Sequence, residues 1–323
     1  SVDALHRGVR SGRGVSTRLL FARVRRAIEG TPGAVAASTM PPAVEGRPDV
    51  YRQIQSTVVE GSTLAVHPVT RSPCPEPIAF LDGTQRYEDV SYVGTSPVVA
   101  ALIGAAVRLR VDGQFRTVAH DGGRLLIGAP NALAAFADRL PDFGRVELDL
   151  DGPVHPLEEL EKAHRAVDDY RSALEWRVAA QFRRDDPFWL VVDGVLPHFD
   201  RLGSDPRVIG VSKSHATLPF DDPETSHLYL SLPQGHRTSV FRPATPHAAP
   251  VDSWALRLWA HEGKDLFHGL VRIEVAARTE RAEHAERVSG WLLAERAPIA
   301  RPDARWDRLL YGVAQVERHL RAR

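Results

Sequence analysis

Two apolar runs in this chain end in the same way. Pro77–Asp82 (PIAFLD) and Phe188–Asp193 (FWLVVD) each close on an aspartate followed by a glycine. A short run that is apolar throughout fits a strand buried on both faces, which narrows the fold to a sheet covered by helices on both sides. A charge delivered at the end of a central strand lies at the rim of the sheet, where ligands usually bind. Glu175 sits shortly before the second run, in the helical stretch Tyr170–Phe182 (YRSALEWRVAAQF). Two such strands and a helix glutamate can make a carboxylate cluster. It is stable only if a cation or a hydrogen-bond network neutralises it, which is the chemistry of a divalent-metal site.

Length and charge set the limits. A chain of 323 residues admits one large α/β domain with insertions, or two domains. The formal net charge is zero, so no global basic field recruits nucleic acid, and any such binding uses local patches. The single cysteine, Cys74, excludes an intramolecular disulfide framework and a cysteine-cluster zinc site; its proline-flanked setting (SPCPEP) reads as an inert thiol. The longest apolar stretch, Pro97–Val107, is about half of the roughly 20 residues of a membrane span and reads as a core strand or helix. Residues 1–30 are arginine-rich without an uninterrupted apolar core, unlike a signal peptide, so the expectation is a soluble cytoplasmic protein.

Along the chain, Leu19–Ile28 has apolar residues at helical spacing, and residues 31–77 look irregular apart from an extended stretch at Ser62–His67. Consecutive strands follow: Pro77–Asp82, a turn at Gly83–Arg86, Val98–Arg110, a hairpin at Asp112-Gly113, Phe115–His120, and a turn at Asp121–Gly123. Helices are expected at Asn131–Leu140, Pro156–Phe182, Thr279–Glu295 and Asp303–Arg321. Strands are expected at Phe188–Asp193, at Arg207–Val211, and as an antiparallel pair at Trp254–His261 and Phe267–Val275. This order suggests a mixed α/β sheet with helices on its faces.

Each candidate residue also has a plainer account. Asp-Gly after a strand is an ordinary turn signal, and Asp112 and Asp121 fit it; Asp82 and Asp193 differ because each closes a wholly apolar run. Glu175 lies four residues after Arg171, so it either faces a site or forms half of a solvated helix pair. Only three of the 41 basic residues are lysines, which draws notice to Lys213 in VSKSH. It is either a solvated loop lysine or a contact to a phosphate or water. Arg272 and Glu274 alternate with Val271, Ile273 and Val275, so they share one sheet face as an ion pair. Isolated histidines such as His215 and His268 form no HxH or HExxH pattern and read as surface or core residues.

The ordered set resembles the NurA nuclease family: Asp82-Gly83-Thr84, then Glu175, then Asp193-Gly194-Val195-Leu196, then Val211–Ser214 (VSKS), then Val271–Val275 (VRIEV). The family's usual forms are Asp-Gly-Ser and Asp-Gly-Ser-Leu, so Thr84 and Val195 are departures. The resemblance spans roughly residues 75–320. It implies an RNase H-like mixed central sheet flanked by helices over residues 76–323, preceded by a helical and irregular extension over residues 1–75. It implies a Mn²⁺- or Mg²⁺-dependent nuclease that degrades DNA from ends, as a homodimer docked on a HerA-type hexameric ATPase, in end resection or antiviral defence. Residue by residue, it implies Asp82, Glu175 and Asp193 as metal ligands, Lys213 and Arg272 as substrate contacts, and Glu274 and Tyr311 as support. The family's tyrosine-proline and helical histidine near the C-terminus are replaced here by Arg301-Pro302-Asp303 and Tyr311.

Two cations held by carboxylates about 4 Å apart can activate water against a phosphodiester and stabilise the leaving oxygen. Oxygen ligands without thiolate favour Mg²⁺ or Mn²⁺. No Walker A motif is present, so ATP hydrolysis would reside in a partner. The competing expectations are a docking subunit with weakened chemistry and a related enzyme acting on RNA or branched DNA.

Overall fold

The computed structural model describes residues 17–28, 31, 33–36, 52–136, 139–150, 152, 154–196, 204–215, 217–244, 250–262, 264–296 and 306–322. Its strands are β1 (Ala34–Ala36), β2 (Arg52–Gln53), β3 (Ser56–Val58), β4 (Val66–Pro68), β5 (Ile78–Val93), β6 (Ser96–Val111), β7 (Gln114–Gly128) and β8 (Gly144–Glu147). These are followed by β9 (Trp189–Asp193), β10 (Val208–Ser212), β11 (Thr217–Leu218), β12 (His236–Thr238), β13 (Phe241–Pro243), β14 (Val251–Arg257) and β15 (Leu270–Ala276). The helices are α1 (Thr17–Ile28), α2 (Pro130–Ala134), α3 (Pro156–Asp185), α4 (Pro223–Leu230), α5 (Arg281–Glu295) and α6 (Tyr311–Arg321).

The central sheet runs β7-β6-β5-β9-β10-β15-β14. β5, β6 and β7 form an antiparallel meander, β9 lies parallel to β5, and β10 lies parallel to β9. Only the second strand of this five-strand unit is reversed, which is the order of an RNase H-like sheet, the fold that the resemblance implies. β15 and β14 extend the sheet antiparallel. The short strands β3 and β4 join it through β13 and β12, and β1 pairs with β5.

Alternation along the strands sorts the core into two layers. Ala79, Leu81, Leu190 and Val192 pack with Leu174 and Val178 of α3. Ile78, Phe80, Trp189 and Val191 pack on the other face with Trp291 of α5 and Val313 of α6. Gly312 lets α6 lie flat, because a Cβ there would come within 2.4 Å of the Phe80 ring. A third cluster joins α1 and α2 to the far ends of β5, β6 and β7 through Phe21, Val24, Val90, Val98 and Phe136.

Two expected turns do not form. β5 passes unbroken through Asp82-Gly83, and β7 passes unbroken through Asp121–Gly123. Both segments pair with the small residues Gly104, Ala105 and Ala106 of β6. Hairpin pairing over some fifteen residues outweighs a local turn preference, and neither Gly83 nor Gly122 has a positive φ. The hairpin expected at Asp112-Gly113 does form, with the paired left-handed conformations of a type I′ turn (φ 50° and 74°), and the preceding turn falls at Gly94 (φ 62°). The helix expected at Asn131–Leu140 is shortened to Pro130–Ala134. The last helix begins at Tyr311 after a 3₁₀ turn at Trp306–Arg308; residues 301–305, including Arg301-Pro302-Asp303, lie outside the described residues.

Candidate active site

Asp82 and Asp193 follow Phe80 and Val191 by two residues, so both continue the face turned toward α5 and α6. The parallel register pairs Leu81 with Val192, which makes Asp82 and Asp193 neighbours across β5 and β9. β9 is buried along its whole apolar run and ends at Asp193. The expectation that these two strands bring their aspartates together at the sheet is met, although only Asp193 sits at a strand end.

Glu175 arrives from the other side, on α3, and is 4% exposed. Its carboxylate occupies the space above Gly83: a Cβ built on that glycine would lie 1.9 Å from Glu175 Oε1. Gly83 is therefore the gap in β5 through which a helix glutamate reaches the sheet. Arg171 donates to Glu175 Oε1 in an i, i+4 pair and, through Nε, to Gln85 Oε1 at 3.0 Å. Glu175 thus forms the helix pair with Arg171, but not as a solvated one: it is buried beside Asp82-Gly83.

Lys213 lies in the segment after β10 and donates from Nζ to Asp193 Oδ2 at 2.7 Å. Asp82 has no ion pair among the described residues; its Oδ1 accepts the Gly83 N–H at 2.9 Å. Burial pushes the Asp82 carboxyl well above the usual carboxylate range, Asp193 adds repulsion, Lys213 opposes it, and Glu175 and Glu317 add further repulsion. Burial likewise raises Glu175 to about 7, against the pull of Arg171 and with a push from Asp193.

Arg272 and Glu274 form the expected ion pair, Nε to Oε1 at 3.3 Å, with side chains 7% and 3% exposed. Glu274 Oε2 also accepts the Leu196 N–H at 2.9 Å, and Arg272 donates to the Thr217 carbonyl at 3.4 Å. Gly194 (φ 129°) donates to the Val211 carbonyl at 3.0 Å. Gly210 beneath it leaves room, because a Cβ there would meet the Gly194 carbonyl at 2.9 Å. Arg272 and Glu274 thus brace the loop that carries Asp193.

Tyr311 opens α6, and its ring lies 6.0 Å from that of Phe115, which in turn lies 6.0 Å from the ring of Phe80, two residues before Asp82. The α6 side chain whose charge reaches Asp82 is Glu317, which the sequence presents only as an i, i+4 partner of Arg321. His215 is a core residue: its Nε2 lies 2.9 Å from the Leu270 carbonyl and its ring stacks on Phe267.

The donor chemistry suits a hard divalent cation, since Asp82 feels the charges of both Asp193 and Glu175 and the donors are all oxygen. Among the described residues, no three His, Cys, Asp or Glu side chains close into a metal-holding group. Lys213 and Arg171 instead hold an oxygen each of Asp193 and Glu175.

No family model matches the chain, and no curated protein does. Among solved structures, it is similar to the NurA nuclease from Sulfolobus solfataricus, at 11% identity over 80% of this chain and 81% of that one, with a TM-score of 0.48. It is also similar to the catalytic domain of human Endonuclease V, at 15% identity over 94% and 96%, with a TM-score of 0.34. Likenesses this distant leave the functional reading to the chemistry of the site.

Proposed function

We propose that this chain hydrolyses phosphodiester bonds in DNA, using Mn²⁺ or Mg²⁺ held by Asp82, Asp193 and Glu175. The observation that carries this reading is the placement of Asp82 beside Asp193 on adjacent parallel strands, with Glu175 let in at Gly83. A bound cation would supply an activated water and charge stabilisation at the leaving oxygen. Asp82 contributes a carboxyl group that forms no ion pair among the described residues, while Lys213, paired with the neighbouring Asp193, acts on it through its charge. Lys213, 2.7 Å from Asp193, exchanges that carboxylate for a phosphate oxygen in this reading. Arg272 and Glu274 hold the Asp193 loop in register. End-directed degradation, a homodimer and a HerA-type ATPase partner belong to the same proposal and rest on the ordered motifs. No helix among the described residues is long and apolar enough to cross a membrane.

The test is incubation of linear DNA with the protein and Mn²⁺, with and without a HerA-type translocase. Wild type should release nucleotides while Asp82→Asn and Asp193→Asn do not. Equal release by all three overturns the reading. One observation favours a second reading, that of a docking subunit with weakened chemistry: Asp193 and Glu175 are each already paired with a protein cation. That reading predicts no Mn²⁺-dependent release but intact binding to the translocase.

A further inference from the structure

A separate cluster sits at the opposite end of β9 and β10, around Trp189 and Arg207. His284 in α5 is 2% exposed, and its Nδ1 faces two guanidinium groups at once, Arg278 at 3.2 Å and Arg287 at 3.0 Å. Guanidinium nitrogens only donate, so Nδ1 is the acceptor and the imidazole is neutral. Burial and the two arginines lower its pKa to about 3, consistent with that assignment.

Two positive groups therefore share one uncharged acceptor. Among the described residues neither has a carboxylate at ion-pair distance; Arg278 otherwise donates to the Pro206 carbonyl at 2.8 Å. Asp252, whose charge acts on Arg278 together with that of Glu280, is paired with Arg242 and Arg281. Arg207 follows Pro206, stacks over the Trp189 ring at 5.7 Å, and pairs with Glu76. The Trp189 ring lies 5.9 Å from His284, which brings Arg207 to the same cluster. Beside it is an open depression of about 510 Å³ lined by Arg183, Asp205, Pro206 and Arg207.

We propose that Arg207, Arg278 and Arg287 form a binding site for a phosphate-class anion, independent of the carboxylate site and its activity. Guanidinium forks match phosphate oxygens two at a time, and a ring beneath one of them fixes its plane. His284 holds the forks of Arg278 and Arg287 together without adding charge, so the pair is oriented before the anion arrives. The anion is either a phosphodiester of a nucleic-acid strand or a free phosphate.

The test uses the full chain in EDTA, titrated with a labelled single-stranded oligonucleotide and, separately, with inorganic phosphate. Arg278→Gln/Arg287→Gln should weaken binding about 10-fold or more, and for the oligonucleotide should lower the salt slope by about 1.4. Weakening confined to the oligonucleotide assigns the strand backbone; saturable phosphate binding lost in the variant assigns the free anion. If the double variant fails to fold, protection of Arg278 and Arg287 from an arginine-specific dicarbonyl reagent by either probe gives the same reading on wild type. Equal affinity of wild type and variant for both probes, or no binding of either probe to wild type, overturns the proposal.

Discussion

Gly83→Ala separates a catalytic role for Glu175 from a merely structural one. The new Cβ would lie 1.9 Å from Glu175 Oε1, 2.7 Å from Cδ and 2.8 Å from Cγ. Ordinary contact starts near 3.4 Å, so the carboxylate must withdraw by about 1.5 Å. The obstructing atoms are the end of a flexible side chain, so the backbone of β5 can stay in place. Overpacking costs about 1–3 kcal/mol, and loss of a glycine from a strand returns about 0.5–1 kcal/mol. The expected net loss is about 1–2 kcal/mol, a Tm shift under about 5 °C. Catalysis is less tolerant, because about 1 Å of misplacement costs on the order of 100-fold. Mn²⁺-dependent nucleotide release should fall by that factor while the protein remains folded. Adding Glu175→Asp, one methylene shorter, should restore at least about 10-fold over Gly83→Ala alone, although Glu175→Asp by itself lowers activity; such coupling marks a direct contact. Full activity in Gly83→Ala, or strictly additive effects in the cycle, would refute the assignment of Glu175.

Asp82→Asn removes a partly buried, repelled carboxylate. In metal-free buffer it should raise unfolding free energy by about 1–2 kcal/mol, while abolishing any Tm increase that Mn²⁺ gives wild type. Thermal melts with and without Mn²⁺ check both signs. His215 is held neutral, with its pKa lowered from 6.5 to about 4 by burial. Below 6.5 the unfolded chain takes up a proton that the native state refuses. Stability should therefore fall by up to about 3 kcal/mol between pH 6.5 and 4, at 1.36 kcal/mol per unit. His215→Phe should lose that slope in denaturant titrations at the two pH values, whatever its cost at neutral pH.

How legible these features were depends on where the deciding contact lies. Asp193 could be read directly, because β9 is apolar on both faces and stops where the aspartate begins. Asp82 was found for a partly wrong reason: the run reads as a strand that ends, yet β5 continues because Gly104, Ala105 and Ala106 of β6 accept pairing there. The Asp121 turn fails for the same cause, and Arg177 of α3 holds that aspartate in the strand. Glu175 stayed ambiguous because α3 carries charge on every side; only its contact with Gly83, on a distant strand, decides its direction. Glu317 and the trio Arg207, Arg278 and Arg287 carry no local signal, since each looks like an ordinary exposed helix or loop charge until the sheet brings partners to it.

The charges around the site explain why it is balanced as it is. Asp82, Asp193 and Glu175 together bring three potential negative charges, and Lys213 and Arg171 bring two positive ones. The shortfall falls on Asp82, and the fold meets it by making protonation easier at Asp82 and at Glu175, with no third basic side chain paired to the three among the described residues. Under the proposed reading, cation uptake must then drive those protons off, so apparent metal affinity rises with pH through about 7, where Glu175 titrates. A divalent ion would also leave Lys213 in excess beside Asp193, and a phosphodiester is the anion that would use it. The lysine pairing that favours a weakened docking subunit is, on this account, the resting state of a site whose substrate completes its neutralisation.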